Sequence, residues 1–366
     1  MKESSKLQAP SSREKSKAKL QRSEVRGQKP MPLLLLYGID AQTLPVDAEV
    51  TRDMIQTAER SLCSLGWQVA TSEVTDNLEA ALAPFESREW LVFNLCEGSP
   101  AQPFYYARVA GELERGGYVY TGSDAAALHD NQFKPLMKRR LEAHGLPTPP
   151  WTVTERIEDL RFDRFPAIVK PAGEHCSFGI TRESVVFTLA DARRQAATVM
   201  RRYSGEVLVE EFLDSEEYGV ALWGASDALE ILGISVIRYD ALPDMRDRLC
   251  TFEAKWMPET DAYQKTMPEC PARIGRELKV ELEGLARGAH AASGARDYSR
   301  VDIRMQDGRP MVLEVNANCA VSENSGFPQT ALKAGWDYPS MLDRLALMAA
   351  TRAGHYSESP LSGSFG

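Results

Sequence analysis

Short apolar runs alternate along this chain with stretches in which apolar residues recur at helical spacing. Pro32-Leu33-Leu34-Leu35-Leu36-Tyr37-Gly38 is too short for a buried helix and ends in glycine, so it predicts a parallel strand buried on both faces. Val50, Met54, Ala58, Leu62 and Leu65 then mark a helix that Gly66 closes. Trp90-Leu91-Val92-Phe93-Asn94-Leu95 predicts a second strand, ending at Cys96-Glu97-Gly98. Strand, helix, strand implies a small parallel α/β domain over residues 31–125. Ligands of such sheets gather at the carboxyl ends of the strands, where Asp40, Asp47, Glu97 and Ser99 are placed to meet a substrate.

The texture changes from about residue 126. A helix carrying Leu136, Met137, Arg140 and Leu141 runs to Gly145 and is stopped by Leu146-Pro147-Thr148-Pro149-Pro150. Phe165 to Lys170 and Val207 to Leu213 read as strands, and residues 217–239 as two more. Leu278, Leu282, Leu285 and Ala289 mark an amphipathic helix. It leads to two apolar runs, Val301 to Met305 and Met311 to Asn316, around the turn Gln306-Asp307-Gly308-Arg309-Pro310. Asp-Gly between β-favouring stretches predicts a hairpin. The fold class is α/β, with an α+β arrangement in the second half.

At 366 residues the chain exceeds one ordinary core, so two or three domains are expected. No stretch approaches the roughly 18 apolar residues of a membrane span. A net charge of −9 argues against general nucleic-acid binding. The cysteines are scattered without CxxC spacing and the start lacks a secretory apolar region, which reads as a reducing, cytoplasmic setting without a zinc site. Residues 1–30 carry nine Lys/Arg and almost no large apolar side chain. Such a segment cannot offset its ordering entropy, so a disordered tail is expected, with a polybasic attachment to an acidic partner as the alternative.

Asp302, Glu314 and Asn316 carry the most informative chemistry. Residues two apart on a strand share a face, and hairpin pairing brings the partner strand alongside, so the three can point the same way. Two carboxylates converging there repel unless a cation lies between them. An all-oxygen set without His or Cys suits Mg²⁺, with Mn²⁺ as the alternative, and such an ion commonly shares its remaining positions with water and nucleotide phosphates. The hairpin thus reads as half of an ATP site. Lys170 supplies another part, because it ends a strand just before the small-residue loop Pro171 to Gly179, whose backbone N–H groups could line phosphates. Glu210-Glu211-Phe212-Leu213 offers backbone groups to an adenine edge, and Glu217 a carboxylate to ribose hydroxyls.

Taken in order with Lys134, these motifs resemble the ATP-grasp superfamily, and within it the D-alanine–D-alanine ligase branch, over residues 31–350. The resemblance implies an ATP-grasp fold with a central lobe at 126–205, a C-terminal lobe at 206–355 and a tail at 356–366. It gives Lys134 and Lys170 to the phosphates, the loop of His175 and Cys176 to their cover with Ser177 as a catalytic residue, Glu210 to Leu213 to adenine and Glu217 to ribose. It gives Asp302, Glu314 and Asn316 to the metal, Arg300 to the transition state, and Phe252-Glu253-Ala254-Lys255-Trp256 to a lid whose Lys255 approaches the terminal phosphate. Substrate contacts fall on Asp47, Glu97 and Ser325. The implied activity is an ADP-forming, ATP- and Mg²⁺-dependent carboxylate–amine ligation through an acyl phosphate. Its partners would be small molecules rather than nucleic acid or membrane, and a homodimer is allowed.

The acceptor half departs from the pattern. The D-alanine ligases carry His-Gly and then Glu-Asp-Gly after the second strand, where this chain has Cys96-Glu97-Gly98-Ser99-Pro100. Their lid closes on a carboxylate, serine and tyrosine triad, whose positions here fall on Asp47, Cys176 and Trp256. In place of their Pro-Gly turn after Asn316 stands Ala317-Asn318-Cys319-Ala320. A substrate pair other than two D-alanines is therefore expected. Two other readings stay open: a ligase that modifies a peptide or protein terminus, and a degenerate nucleotide-binding protein, which a lost lysine or metal carboxylate would have favoured. Cys96, Cys176 and Cys319 read as small pocket-lining residues, with no His spaced to activate them.

Overall fold

The computed structural model describes residues 31–39, 45–75, 77–97, 102, 104–175, 177–203, 205–224, 228–257 and 259–355. Both expected tails, together with Asp40, Ser99 and Cys176, lie outside the described residues.

Three four-stranded sheets build the chain. The first contains β1 (Leu33–Gly38), β2 (Val69–Val74), β3 (Leu91–Leu95) and β4 (Val119–Tyr120), all parallel in the order β2-β1-β3-β4. Its connections carry α1 (Pro45–Ser64), α2 (Leu78–Leu82) and α3 (Tyr105–Arg115). Leu33 and Leu35 pack with Ile55, Ala58 and Leu62 of α1, while Leu34 and Leu36 pack with Val109, Ala110 and Leu113 of α3. Burial on both faces is why β1 reads as an unbroken apolar run. β2 lies at the sheet edge with Thr71, Ser72 and Glu73 in it, so no apolar run announces it.

The buried stripe of α1 is Ala48, Ile55, Ala58 and Leu62, and Val50, expected on it, is 64% exposed. Steps of four residues advance about 40° around a helix. Val50 has therefore rotated off the face that Ala58 and Leu62 share.

After α4 (Ala125–Gln132) and α5 (Lys134–Ala143) comes the second sheet, formed by β5 (Trp151–Thr154), β6 (Ala167–Pro171), β7 (Val185–Val186) and β8 (Val207–Glu211), with α6 (Leu189–Arg202) packed on it. β8 pairs with both β5 and β6, so this lobe runs through residue 211, and the boundary expected at 205/206 would cut away a central strand.

The third sheet has the order β10-β9-β11-β12 and is antiparallel, with β9 (Glu217–Gly224), β10 (Glu230–Ile237), α7 (Phe252–Trp256), α8 (Asp261–Lys265), α9 (Arg276–Ser293), β11 (Asp297–Gln306) and β12 (Arg309–Asn316). α10 (Gly326–Lys333) and α11 (Tyr338–Arg352) follow. Met341, Leu342, Leu345 and Ala346 of α11 pack with Leu33, Phe93 and α1, so the first core is completed from the far end of the chain.

Asp307 and Gly308, with φ 49° and 79°, form the left-handed two-residue turn that Asp-Gly favours. Pairing beyond it runs Ile303 to Val312 and then Asp302 to Glu314, which leaves Leu313 as an extra, bulged residue. Strict alternation would put Val312 and Glu314 on one face. The bulge lets Val312 and Val315 both enter the core beside Val301, Ile303, Leu282 and Leu285, while Glu314 faces a cleft.

Candidate active site

That cleft is open, of about 840 Å³, and is lined from β6, β8, β9, β11, β12 and α5. Its polar end gathers Lys134, Lys170, Lys255, Asp302 and Glu314. Lys134, the first residue of α5, donates to the Glu174 carbonyl, and Lys170 pairs with Glu210. One helical turn beyond Lys134, the buried Lys138 lies 2.6 Å from Glu210 Oε2 and donates to Thr148 Oγ1 at 2.7 Å. Sequence reasoning missed Lys138, although a lysine four residues after Lys134 shares its helix face.

Burial alone would push the Glu210 carboxyl up, but Lys138 and Lys170 hold it at about 2. The role expected of Glu210, reading adenine through its backbone, does not fit its place. Its backbone lies in the sheet ladder opposite Trp151 and Ile168, and what it brings to the cleft is a carboxylate.

On the hairpin, Arg300 Nε and Nη2 donate to Asp302 Oδ1 and Oδ2 at 2.7 and 2.8 Å, and Asn316 Nδ2 donates to Asp302 Oδ2 at 2.9 Å. Burial raises the Asp302 carboxyl against the pull of Arg300. Burial also works to raise Glu314, yet Lys134, Lys255, Lys170 and Arg300 hold it at about 2. The expected repulsion between the two carboxylates is thus relieved in part by the protein's own cations. Among the described residues no group of three or more His, Cys, Asp or Glu side chains is placed to hold a metal. The hairpin set is two carboxylates and an amide, and its all-oxygen chemistry fits a hard divalent cation.

Arg300 itself leans toward α10, where a Cβ at Gly326 would lie 3.8 Å from its Nη1. This brings Ser325, the N-cap of α10, to the same corner, with its hydroxyl donating to the Ala320 and Ser322 carbonyls at 2.7 and 2.8 Å.

The other end of the cleft is apolar, walled by Ile168, Ile180, Phe212, Leu213 and Leu249, with Glu211 beside them. The N–H groups of Glu211 and Phe212 already donate to Pro150 and Pro166 carbonyls at 2.9 Å. Glu217 faces Arg304 across β9 and β11 and accepts from its Nε at 3.1 Å. Ser177, at φ 62°, donates its hydroxyl to the Cys250 carbonyl at 2.7 Å, and Phe178 stacks on Phe252 with centroids 5.4 Å apart. These contacts clasp the loop carrying Ser177 and Phe178 to the start of α7, with Lys255 lining the cleft. His175 lines the same cleft, and burial with Lys134 nearby holds its imidazole at about 4, hence neutral.

The substrate residues are less gathered. Asp47 is exposed in the first turn of α1 and does not line the cleft, so the structure does not bring it to the lysines. Glu97 lies two residues beyond β3, is exposed, and hydrogen-bonds with Tyr106; desolvation by the surrounding protein pushes its carboxyl above the ordinary range. Cys176 and the Trp256 side chain, the other expected triad members, lie outside the described residues. Cys96 and Cys319 are buried, and burial pushes the Cys319 thiol to about 12 and Cys96 higher, which suits inert lining.

Two antiparallel sheets flanking a cleft, with a lysine cluster facing an acidic hairpin, define an ATP-grasp protein. The chain belongs to the D-alanine–D-alanine ligase family: the family model described as D-ala D-ala ligase C-terminus matches residues 141–347. A D-alanine–D-alanine ligase of Ralstonia nicotianae is 31% identical over 255 residues, 68% of this chain and 72% of that protein. An uncharacterised protein of Sinorhizobium fredii is likewise 31% identical, over 74% of this chain and 77% of its own length. Among solved structures, the D-alanine–D-alanine ligase of Bacillus anthracis complexed with ATP superposes with a TM-score of 0.68 at 22% identity, covering 89% of this chain and 99% of that one. No helix among the described residues is long and apolar enough to cross a membrane.

Proposed function

We propose that this chain is an ATP- and Mg²⁺-dependent, ADP-forming ligase that joins an amino acid or related small carboxylate to an amine, and that its substrate pair is not two D-alanines. The observation that carries this reading is the meeting of Lys134, Lys170 and Lys255 with Asp302 and Glu314 in one cleft. Phosphoryl transfer needs charge neutralised around the γ-phosphate more than it needs a covalent nucleophile. A substrate carboxylate oxygen attacks the γ-phosphorus, the bond to the bridging oxygen breaks, and ADP leaves. The amine then attacks the acyl carbon and gives up a proton as inorganic phosphate departs.

In this scheme Lys134 and Lys170 hold phosphates, and Lys255 reaches the terminal one from the lid. Glu211 to Leu213 meet adenine and Glu217 the ribose, while Arg300 neutralises charge at the reacting carboxyl. Asp302, Glu314 and Asn316 would hold Mg²⁺, which when bound adds to the neutralisation of the phosphate oxygens. The altered substrate half is supported by the loop after Asn316. There Asn318 Oδ1 accepts the Ser123 N–H at 2.9 Å and fills the space beside Gly122, tying the loop to the end of β4.

The test is a screen for ADP release over pairs of carboxylates and amines with Mg²⁺. Full turnover with D-alanine alone would reject the altered substrate pair. ATP binding without ADP release from any pair would favour a degenerate nucleotide-binding protein.

A further inference from the structure

We propose that Arg304 is a positioning residue that couples the nucleotide wall of the cleft to the lid carrying Lys255, an inference that rests on the ATP-binding reading of this cleft. Arg304 is 3% exposed, and its side chain lies between the rings of Phe212 and Tyr239, with centroids 5.4 and 4.8 Å from the guanidinium carbon. Each arm of the fork reaches a different part of the site. Nε donates to Glu217 Oε2 at 3.1 Å, Nη1 to the Leu213 carbonyl at 2.8 Å, and Nη2 to the Arg248 carbonyl at 2.9 Å.

Glu217 and Leu213 line the wall of the cleft that the ATP reading gives to ribose and base. Arg248 belongs to the root of the lid, two residues before the Cys250 carbonyl that takes the Ser177 hydroxyl and four before Phe252, where α7 begins. Asp214 fixes the same root from outside through the Arg248 guanidinium at 2.9 Å. A single planar fork with its donors spent this way fixes three backbone and side-chain positions relative to one another. Ligand contacts that settle Glu217 and Leu213 therefore also settle residues 248–252, and with them the approach of Lys255. Lysine could keep the ion pair with Glu217 but could not reach both carbonyls.

The test follows hydrogen exchange of residues 249–257 with and without Mg²⁺ and a non-hydrolysable ATP analogue, beside analogue affinity by calorimetry and thermal midpoints. In the wild-type chain the analogue is expected to slow exchange across the lid. Arg304→Met is expected to bind the analogue about tenfold more weakly and to lose that slowing even at saturation. Arg304→Lys is expected to bind within about threefold of wild type while the lid stays unprotected. Should Arg304→Met fail to fold, the lysine variant alone decides. Wild-type lid protection in a saturated variant overturns the coupling, as does a loss of binding that simply tracks a lowered thermal midpoint in both variants. A wild-type chain that binds no analogue overturns the ATP reading and the coupling together, whereas binding with indifferent variants removes the coupling alone.

Discussion

Arg300 precedes Asp302 by two residues on β11 and grips both oxygens of its carboxylate, at 2.7 and 2.8 Å. Both side chains stand on the face of the sheet that bears the cleft, as residues two apart on a strand must. The cation proposed to neutralise the reacting carboxyl is thus also the group that orients a carboxylate proposed to hold Mg²⁺. Arg300→Lys keeps the charge but cannot make the two-pronged contact. Turnover should fall on the order of a hundredfold, with the Mg²⁺ requirement raised. An ADP-release assay across a Mg²⁺ titration measures both, and a normal rate with a normal Mg²⁺ midpoint would show the clamp to be idle.

Gly219 lies opposite Asp302 on β9, where a Cβ would come 2.9 Å from Ser235 Oγ and 3.3 Å from Arg300 Cδ. Gly219→Ala must displace the Ser235 hydroxyl and shift Arg300 by a few tenths of an ångström, while leaving the surrounding core in place. The expected outcome is a larger loss in turnover than in thermal midpoint. If the midpoint drops sharply and the remaining folded enzyme is fully active, Gly219 serves strand packing and not the arginine.

Lys138 contrasts with Lys170, which is proposed to hold a phosphate. It is buried against Glu210 and Thr148, deeper than Lys170, so its removal strands part of a buried charge. Lys138→Met should destabilise the fold by about 2–4 kcal/mol, less than a lone buried charge would because Lys170 remains. Lys170→Met should instead weaken ATP binding more than it lowers the melting temperature. Calorimetric titration and thermal unfolding of both variants decide, and equal ATP affinity in all three proteins would remove Lys170 from the phosphate site.

The hairpin and the strand-end lysine were legible because each depends on local signals: Asp-Gly for the turn, short apolar runs for buried strands, and a lysine at a strand terminus. The bulge at Leu313 was not, since Met311-Val312-Leu313 is apolar throughout and only packing decides which residue is displaced. Arg304 and Lys138 were equally hidden. Both are charged residues buried by partners more than thirty residues away in sequence, Glu217 for one and Glu210 for the other. The first-domain helix was legible but its buried face was misassigned at Val50, because a four-residue repeat drifts around the helix. The closing of the first core by α11 lies beyond any local pattern.

Glu210 and Glu314 are both held at about 2, below the ordinary 4.5 of a glutamate. A depressed folded-state value means that the stability they contribute is complete above about pH 4.5 and is lost as the pH falls toward 2. For Glu210 this is on the order of 3 kcal/mol. His175 and His290 are held at about 4 by burial, so they weaken the fold in a separate window, as the pH falls from 6.5 to 4. Denaturant unfolding from pH 7 to pH 2 should show both phases, and Glu210→Gln should flatten only the lower one. An unchanged slope below pH 4.5 in that variant would mean that the lysine pair does not hold Glu210 ionised.

Glu97 lies just beyond the carboxyl end of β3, and we expect it to receive a cationic group of one substrate. It follows β3 at the end of the strand, where ligands of parallel sheets collect, and Tyr106 hydrogen-bonds with it. The protein around it pushes its carboxyl above the ordinary range, so an ammonium placed beside it would favour the ionised form and gain from doing so. Glu97 is exposed, so such a contact contributes about 1 kcal/mol. Glu97→Gln should therefore raise the KM of one substrate by about fivefold while the KM of ATP stays where it is. The competing role is structural, in which the carboxylate serves only to fix Tyr106 and the turn after β3. The two roles separate in one experiment, because steady-state kinetics with each substrate varied in turn would then be normal while the thermal midpoint fell.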